Sequence, residues 1–150
     1  MPLEPLTEAQ LLLRVIVAAA LAATVGWERE RARKSAGLRT HILVGLAAAL
    51  YTCIGALSIT QYHQADPNLR ADPIRVIQAV ALGIGFLGGG VISADARAGS
   101  VSGLTTAASV WSTAAIGIAA GLGYYVLAAG TTLLQLIVLH LFERVERRLD

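Results

Sequence analysis

Long apolar runs alternate with short polar segments along the whole chain. A helix rises about 1.5 Å per residue and the hydrocarbon core of a bilayer is about 30 Å thick, so roughly 20 apolar residues make one crossing. Five runs approach that length, and they predict an all-α membrane protein built as a five-helix transmembrane bundle. The runs cover Leu11–Gly26, Thr40–Thr60, Ile74–Ser93, Leu104–Ala120 and Tyr124–Phe142.

Helix-start signals support this segmentation. Thr7 and Gln10 have the spacing of a capping box. Asp72 precedes Pro73, which is the order of a capping residue followed by proline at the first helical position. Thr40 is placed to cap the second helix in a similar way. Only Gly121–Gly123 separates the last two runs, so these runs predict a tight antiparallel helical hairpin.

Composition agrees with a single membrane domain over residues 1–150. The chain is 55% hydrophobic with a mean hydropathy of +0.63, whereas apolar content including glycine is usually about 45–50% in soluble domains. The lipid bilayer is therefore the expected partner, and the net charge of +2 gives no reason to expect nucleic acid. Cys53 is the only cysteine, so an intrachain disulfide is excluded.

The placement of the basic residues predicts the orientation. Short loops rich in lysine and arginine remain on the cytoplasmic side during insertion. With five crossings, nine basic residues fall on one side and two on the other, which predicts the N-terminus outside and the C-terminus inside. The nine are Arg29, Arg31, Arg33, Lys34, Arg39, Arg97, Arg144, Arg147 and Arg148, and the two are Arg70 and Arg75.

Arg14 lies inside the first apolar run, one turn from its predicted outer end. Two interpretations are open: its guanidinium extends along the helix to the outer headgroups, or it faces a partner helix.

Small residues recur every four positions in four of the runs, a spacing that lets helix backbones approach closely in lipid. Glycines are especially dense between positions 83 and 90, which indicates either close packing or an unwound, re-entrant segment. The four stripes are Ala18, Ala22 and Gly26; Gly45, Ala49 and Cys53; Ala81, Gly85 and Gly89; and Thr113, Gly117 and Gly121.

The predicted topology brings several helix ends together at the cytoplasmic leaflet. The N-termini of the second and fourth helices carry partial positive charge there, which suits an anion or a protein carboxylate. Glu28 and Glu30 are expected to pair with Arg29, with Arg39 or with a cation. The candidate functional residues at or near these ends are Glu28, Arg29, Glu30, Arg39, Thr40, Gly85, Gly88, Thr105, Thr106 and Trp111.

Two of these candidates have a structural alternative. The hydroxyls of Thr105 and Thr106 are placed either for a ligand or for backbone carbonyls of their own helix. Trp111 lies about 10 Å into the fourth helix, too deep for an interfacial belt, and is expected in the bundle core or in the wall of a cavity.

Several absences argue against enzymatic or transport activity. No aspartate or glutamate lies within the five runs, whereas carriers of cations or protons usually place ionisable groups inside the bilayer. The three histidines fall on different segments without metal-ligand spacing, and no Walker, HExxH or GxSxG pattern is present. We therefore expect neither an enzyme nor a catalytic site, a metal site or a cofactor.

Three sequence elements carry a family resemblance: GWERE with AGLRTH, then GIGFLGGGVI, then GLTTAASVWSTAAIGIAAGLGYY. In this order and spacing they resemble the MgtC/SapB family of bacterial inner-membrane proteins, whose membrane domain is a five-helix unit. Ser102 occupies a position that is often basic in the family. Better-studied members continue into a cytoplasmic C-terminal domain, so the resemblance carries no expectation for functions that reside there.

The resemblance implies a multi-pass protein of the inner membrane, associated with growth under magnesium limitation and with virulence. It also implies modulation of other membrane proteins, with ATP synthase among the candidate partners. From the residues and the resemblance together, we expect a non-enzymatic regulator that binds a membrane-protein partner, with homo-oligomerisation open. The alternative is a channel or carrier for magnesium or another ion, with Glu28, Glu30 and Asp95 collecting cations at the inner mouth.

Overall fold

The computed structural model describes residues 6–65, 72–95 and 100–149. The described residues form five helices and one short β-hairpin, so the prediction of a five-helix chain is confirmed. In chain order the elements are α1 (Glu8–Arg31), α2 (Leu38–Ala65), α3 (Ile74–Val91), β1 (Ser93–Asp95), β2 (Ser100–Ser102), α4 (Leu104–Gly121) and α5 (Tyr125–Leu149).

Two of the three predicted helix starts are confirmed. The Thr7 hydroxyl accepts from the Gln10 amide and the Gln10 side chain accepts from the Thr7 amide, which completes the capping box. Asp72 Oδ1 accepts from the Ile74 amide at 2.9 Å, where α3 begins. Thr40 was wrongly predicted as a cap, because α2 already begins at Leu38 and Thr40 lies within its first turn.

Four helices are long and apolar enough to cross a membrane, namely α1, α2 up to Tyr62, α3 and α4. The apolar part of α5, Tyr125–Leu141, is shorter. The first helix continues past its predicted end at Gly26 to Arg31. As a result, the charged segment Glu28–Glu30 belongs to the last turns of a helix and not to a loop.

The core of the bundle is a close contact of α1, α2 and α4 built on small residues. A Cβ at Gly26 would lie 2.8 Å from Leu38 Cα, and a Cβ at Gly45 would lie 2.6 Å from the Ala22 Cβ. Near the middle of α2, a Cβ at Gly121 would lie 2.8 Å from the Ala49 carbonyl oxygen. Three of the four predicted small-residue stripes therefore form interhelical contacts, since backbones this close leave no room for a larger side chain.

The third helix lies at the edge of the bundle and packs mainly on α4. Its buried residues are Ile84 and Gly88. Gly83, Gly85, Gly89 and Gly90 have open space where a Cβ would be, so close packing within the chain is the wrong prediction for them. The unwound alternative is also wrong, since α3 is helical through Val91. A stripe of small residues permits another helix to approach closely. In the described part of the chain, however, no helix packs against the glycines of this face of α3.

The β-hairpin was not predicted. Its antiparallel strands pair Ser93 with Ser102, Ala94 with Val101 and Asp95 with Ser100. Strands of three residues are shorter than the four to eight residues over which alternation is readable. The hairpin leads into Gly103, whose φ of +86° at the start of α4 favours glycine.

Candidate functional site

The end of α1 carries a buried ion pair. The Arg29 side chain is 2% exposed and the Glu28 side chain is 17% exposed. Arg29 Nη2 donates to Glu28 Oε1 at 2.6 Å, and Arg29 Nε donates to Glu28 Oε2. Both carboxylate oxygens are therefore engaged by the guanidinium, in a two-point arrangement that fixes the orientation of both groups.

Glu30 joins α1 to α2. Its Oε2 accepts from the Leu38 amide at 3.0 Å, and Leu38 is the first residue of α2. A carboxylate at this position satisfies a free amide and complements the partial positive charge of the helix N-terminus. Gly37 lies beside it, and a Cβ there would displace the Glu30 carboxylate from its present position. The anion at this helix terminus is thus part of the protein.

His41 joins α2 to α4. It is buried, with Nδ1 2.9 Å from the Gly37 carbonyl oxygen and Nε2 3.1 Å from Ser109 Oγ. Because a carbonyl oxygen only accepts, Nδ1 carries a hydrogen in this arrangement. Ser109 Oγ also donates to the Thr106 carbonyl oxygen at 2.8 Å.

The same part of α4 is connected to α5 by Gln135. Its Nε2 donates to the Ser109 carbonyl oxygen at 3.0 Å, and its Oε1 accepts from the Ser112 hydroxyl at 2.9 Å. The Thr113 hydroxyl donates to the same Ser109 carbonyl at 2.8 Å. Ser109 is therefore the centre of a polar network that links α2, α4 and α5.

Sequence reasoning missed the roles of Ser109 and Gln135, although one signal was present. Serine and glutamine inside apolar runs commonly form hydrogen bonds between transmembrane helices. Their pairing with His41 and Ser112 depends on the relative rotation of three helices, which the sequence does not give.

The remaining predicted residues lie apart from this network. Arg39, Thr40 and Thr105 are exposed, and Thr106 is buried. Their side chains form no hydrogen bond or ion pair with another described residue. The backbone-carbonyl alternative for the two α4 threonine hydroxyls is thus not seen in the described part of the chain. Hydroxyls that do bond to their own helix are found at Thr52, Thr113 and Thr132.

The prediction for Trp111 is wrong. Its side chain is 54% exposed on the outside of α4, while the preceding Val110 is buried. The rise per residue gives the depth of Trp111 along the helix but not the face on which it lies. Successive helical residues point about 100° apart, and this direction decides whether a side chain is buried. Gly85 likewise faces outward, and Gly88 alone of the α3 candidates packs inward, with its Cβ position 3.7 Å from the Ala107 Cβ.

Arg14 lies at the opposite end of the bundle and faces a partner helix. Its Nη1 donates to the Gly121 carbonyl oxygen, the last residue of α4, at 2.9 Å. This places a cation at a helix C-terminus, where unpaired carbonyls carry partial negative charge. Of the two interpretations of Arg14, the partner-helix one agrees with the structure.

Within the described ranges, no group of three or more His, Cys, Asp and Glu side chains is arranged to hold a metal ion. Glu28 and Glu30 are engaged by Arg29 and by the α2 amide. The side chain of Asp95, the third expected cation ligand, lies outside the described part of the structure.

Comparison with known proteins assigns the family. The model of the MgtC family matches residues 15–148. The chain belongs to the MgtC family. The matched region contains every candidate residue at both ends of the bundle, apart from Arg14 one position before it.

Three relatives illustrate the similarity of this MgtC-family chain to named proteins. The putative magnesium transporter YhiD of Escherichia coli is 38% identical over 141 residues, which is 94% of this chain and 64% of YhiD. Protein MgtC of Salmonella typhimurium is 34% identical over 139 residues, 93% of this chain and 55% of MgtC. Protein SapB of Bacillus subtilis is 30% identical over 139 residues, 93% of this chain and 59% of SapB. The chain thus spans somewhat over half the length of these relatives. No solved structure matches it.

The structure gives each family-like element a distinct position. GWERE and AGLRTH meet through the Glu30 carboxylate and the Leu38 amide. GIGFLGGGVI forms the last two turns of α3, where Ile84 and Gly88 are buried and Gly85, Gly89 and Gly90 have open space at their Cβ positions. The third element forms α4, together with the glycines at its two ends, GLTTAASVWSTAAIGIAAGLG. Ten residues of α4 are buried, more than in α1 or α3. The family motifs of this chain therefore combine a packed core with one open helix face.

Proposed function

We propose that this MgtC-family chain crosses the bacterial inner membrane five times, with its N-terminus outside and its C-terminus inside. The apolar part of α5, Tyr125–Leu141, has 17 residues at most, at the short end of the range of about 17–25 that spans a bilayer. The basic residues of the α1–α2 connection support the orientation, because they lie at the end of the bundle opposite Arg14 and the α4–α5 turn.

We further propose that the protein is a non-enzymatic regulator that binds other membrane proteins through the outward face of α3. The observation that carries this proposal is the open space at Gly85, Gly89 and Gly90. Leu82 and Phe86 on the same helix are 80% and 84% exposed. Small residues beside large apolar ones form the kind of surface that a second transmembrane helix packs against.

The rest of the fold serves to hold that face in position. The close contact of α1, α2 and α4 forms a compact support, and Gly88 and Ile84 attach α3 to it. The ion pair and the capping carboxylate fix the first two helices at one end. ATP synthase is the candidate partner that the family resemblance suggests, and magnesium limitation and virulence are the settings in which we propose that regulation operates.

Photocrosslinking from α3 tests this proposal. A photoreactive residue at Phe86 is expected to capture a discrete partner in native membranes from cells grown with scarce magnesium, but not from cells with plentiful magnesium. Gly85→Leu and Gly89→Leu should abolish capture and the growth phenotype while leaving the amount of protein unchanged, because nothing lies within 4 Å of either Cβ position.

Gly130→Leu on α5 is the matched control, since its Cβ position is also open. Ala18→Leu is unsuitable, because Ala18 is 0% exposed and a larger side chain there would disturb the fold. Unchanged capture and growth in the Gly85 and Gly89 variants would contradict the α3 contact.

Magnesium transport is the second candidate, favoured by the name of the E. coli relative, the putative magnesium transporter YhiD. A pathway would require either several copies of the chain or residues beyond the described ranges, because Glu28 and Glu30 are already engaged. Saturable magnesium uptake by the purified protein in liposomes would support this candidate, and absence of flux under several ion gradients would support regulation.

A further inference from the structure

An apolar cleft lies between α2 and α3, on the side of α3 away from Gly85 and Gly89. It has a volume of about 660 Å³, and its lining includes Ala47 and Tyr51 of α2 and Arg75, Ala79 and Gly83 of α3. The cleft extends along α3 from Arg75 to Leu87, a length of about 18 Å at about 1.5 Å per residue. One leaflet of a hydrocarbon core of about 30 Å is about 15 Å deep, so the cleft is as long as one leaflet.

The cleft stays open because α2 and α3 touch on either side of it. Near the start of α3, a Cβ at Gly55 would lie 2.6 Å from a methyl group of Val76. Further along, Ile84 packs in a buried cluster with Ala48 of α2. Between these contacts the lining residues Ala47, Ala79 and Gly83 are too small to fill the space, and the Gly83 Cβ position has no atom within 4 Å.

A single charged side chain, Arg75, lines this cleft, at the end where α3 begins. Arg75 is exposed and forms no ion pair with another described residue. A guanidinium is suited to bind a phosphate group through two parallel hydrogen bonds, and basic pockets between transmembrane helices bind lipid headgroups. The cleft is therefore arranged like a phospholipid, with the arginine where the phosphate group would lie and the apolar lining where an acyl chain would lie.

Charge and length together indicate the occupant of the cleft. Arg75 lies at one end of it, and the apolar lining beyond Arg75 is about as long as one leaflet. We propose that the cleft binds one acyl chain of an anionic phospholipid whose phosphate pairs with Arg75. This inference goes beyond the proposed function and does not depend on it, because Gly85 and Gly89 do not line the cleft.

Native mass spectrometry of the full chain, released from detergent with added lipid, tests the proposal. Phosphatidylglycerol should bind more tightly than phosphatidylethanolamine with the same acyl chains. Arg75→Gln should weaken phosphatidylglycerol binding about fivefold, as expected for one basic residue near a lipid surface. It should weaken phosphatidylethanolamine binding less, because the ammonium group of that lipid offsets the charge of its phosphate. Gly83→Leu should weaken the binding of both lipids, because the leucine side chain would occupy the cleft.

Matched controls isolate the cleft from the rest of the surface. Gly85→Leu changes a glycine of the same helix with an equally open Cβ position, and Arg31→Gln removes an exposed arginine at the opposite end of the bundle. Both variants should bind the two lipids as the unmodified chain does. Size-exclusion chromatography verifies that each variant is folded, and the Arg75 substitution provides the test if the Gly83 variant does not fold.

Two results would overturn the proposal. One is phosphatidylglycerol binding that is the same in Arg75→Gln and in the unmodified chain. The other is a Gly83→Leu variant whose oligomeric state changes while its lipid binding does not, which would make a second copy of the chain the occupant. Loss of partner capture in the Gly85 variant with intact lipid binding would separate this proposal from the regulatory one.

Discussion

At the scale of single residues, Arg29 is the side chain most dependent on its surroundings. Its guanidinium is buried, and of the described residues Glu28 alone forms an ion pair with it. Removing a charged group from water costs several kcal/mol, and the pair is tolerated because each charge compensates the other. Removing one partner therefore lowers the free energy of unfolding by more than the intact pair contributes to it, because the remaining charge stays buried.

Glu28→Gln is expected to lower the free energy of unfolding by about 3 kcal/mol, because it leaves the Arg29 charge buried without a counter-charge. Glu30→Gln is the matched comparison. It removes an exposed carboxylate that caps α2 and should cost about 1 kcal/mol or less. Denaturant or thermal unfolding in detergent, followed by helical circular dichroism, measures both, and equal losses in the two variants would contradict the assignment.

The second residue-scale prediction concerns Ser109. Ser109→Ala removes the hydroxyl that faces His41 Nε2 and leaves that buried nitrogen without its partner. We expect a loss of about 1–2 kcal/mol in the free energy of unfolding. Thr60→Ala is the control, since the exposed Thr60 hydroxyl bonds only to its own helix at the Ala56 carbonyl. A Ser109 variant as stable as the control would show that the network does not stabilise the bundle.

Local chemistry at the residue scale was predictable where it depends on near neighbours in sequence. The Thr7–Gln10 capping box and the Asp72 cap are determined within three residues, and both are present. The cap of α2 is different, because Glu30 supplies it from the preceding helix, eight residues away. Thr40 has suitable chemistry but lies three residues after Gly37, the position that precedes α2, so residue type alone gave the wrong cap.

At the scale of helices, glycine marks where backbones meet only if a neighbouring helix is present. Gly117 faces the backbone of α2, with its Cβ position 3.1 Å from Gly45 Cα and next to the Gly45 carbonyl oxygen. Gly130 on α5 has nothing within 4 Å. The two glycines have the same intrinsic helix propensity. Substituting each by alanine therefore separates the effect of interhelical packing on stability from the effect of helix propensity.

Gly117→Ala is expected to destabilise the protein by about 1–3 kcal/mol, because the added methyl group forces α2 and α4 apart. Gly130→Ala should be neutral or stabilising by up to about 1 kcal/mol, the propensity gain of alanine over glycine. Unfolding in detergent measures both changes. The close α2–α4 contact would be refuted if the two variants were stabilised equally.

At the scale of the whole molecule, the contacts sort the helix ends into two groups. The end of α1, the start of α2 and the start of α4 meet through Glu30, His41 and Ser109. The first part of α1 and the end of α4 meet through Arg14 and Gly121. This arrangement agrees with helices that cross the membrane in alternating directions. It does not say which end faces the cytoplasm, and the positive-inside rule predicts that.

Cysteine accessibility in intact cells tests the orientation. A membrane-impermeant maleimide should label Tyr124→Cys, at the α4–α5 turn, and should label Ser35→Cys only after the cells are opened. Both positions are exposed. The unmodified chain is the background control, because its one cysteine, Cys53, is buried. Labelling of Ser35→Cys in intact cells would reverse the proposed topology.

The sequence by itself determined the number of helices and the bounds of α3 and α4 to within two residues, because hydrophobic length and capping signals act within a helix. The ends of α1, α2 and α5 lie beyond the apolar runs, because a helix continues into polar residues that hydrophobicity does not mark. The sequence also determined the family, through three elements in a fixed order. Only the tertiary structure decided which faces are covered. Trp111 is exposed, the Cβ position of Gly85 is open and Ser109 joins three helices, since burial depends on how helices rotate and pack against one another. The open face of α3 and the cleft beside it are consequences of that packing, and they carry the functional proposals.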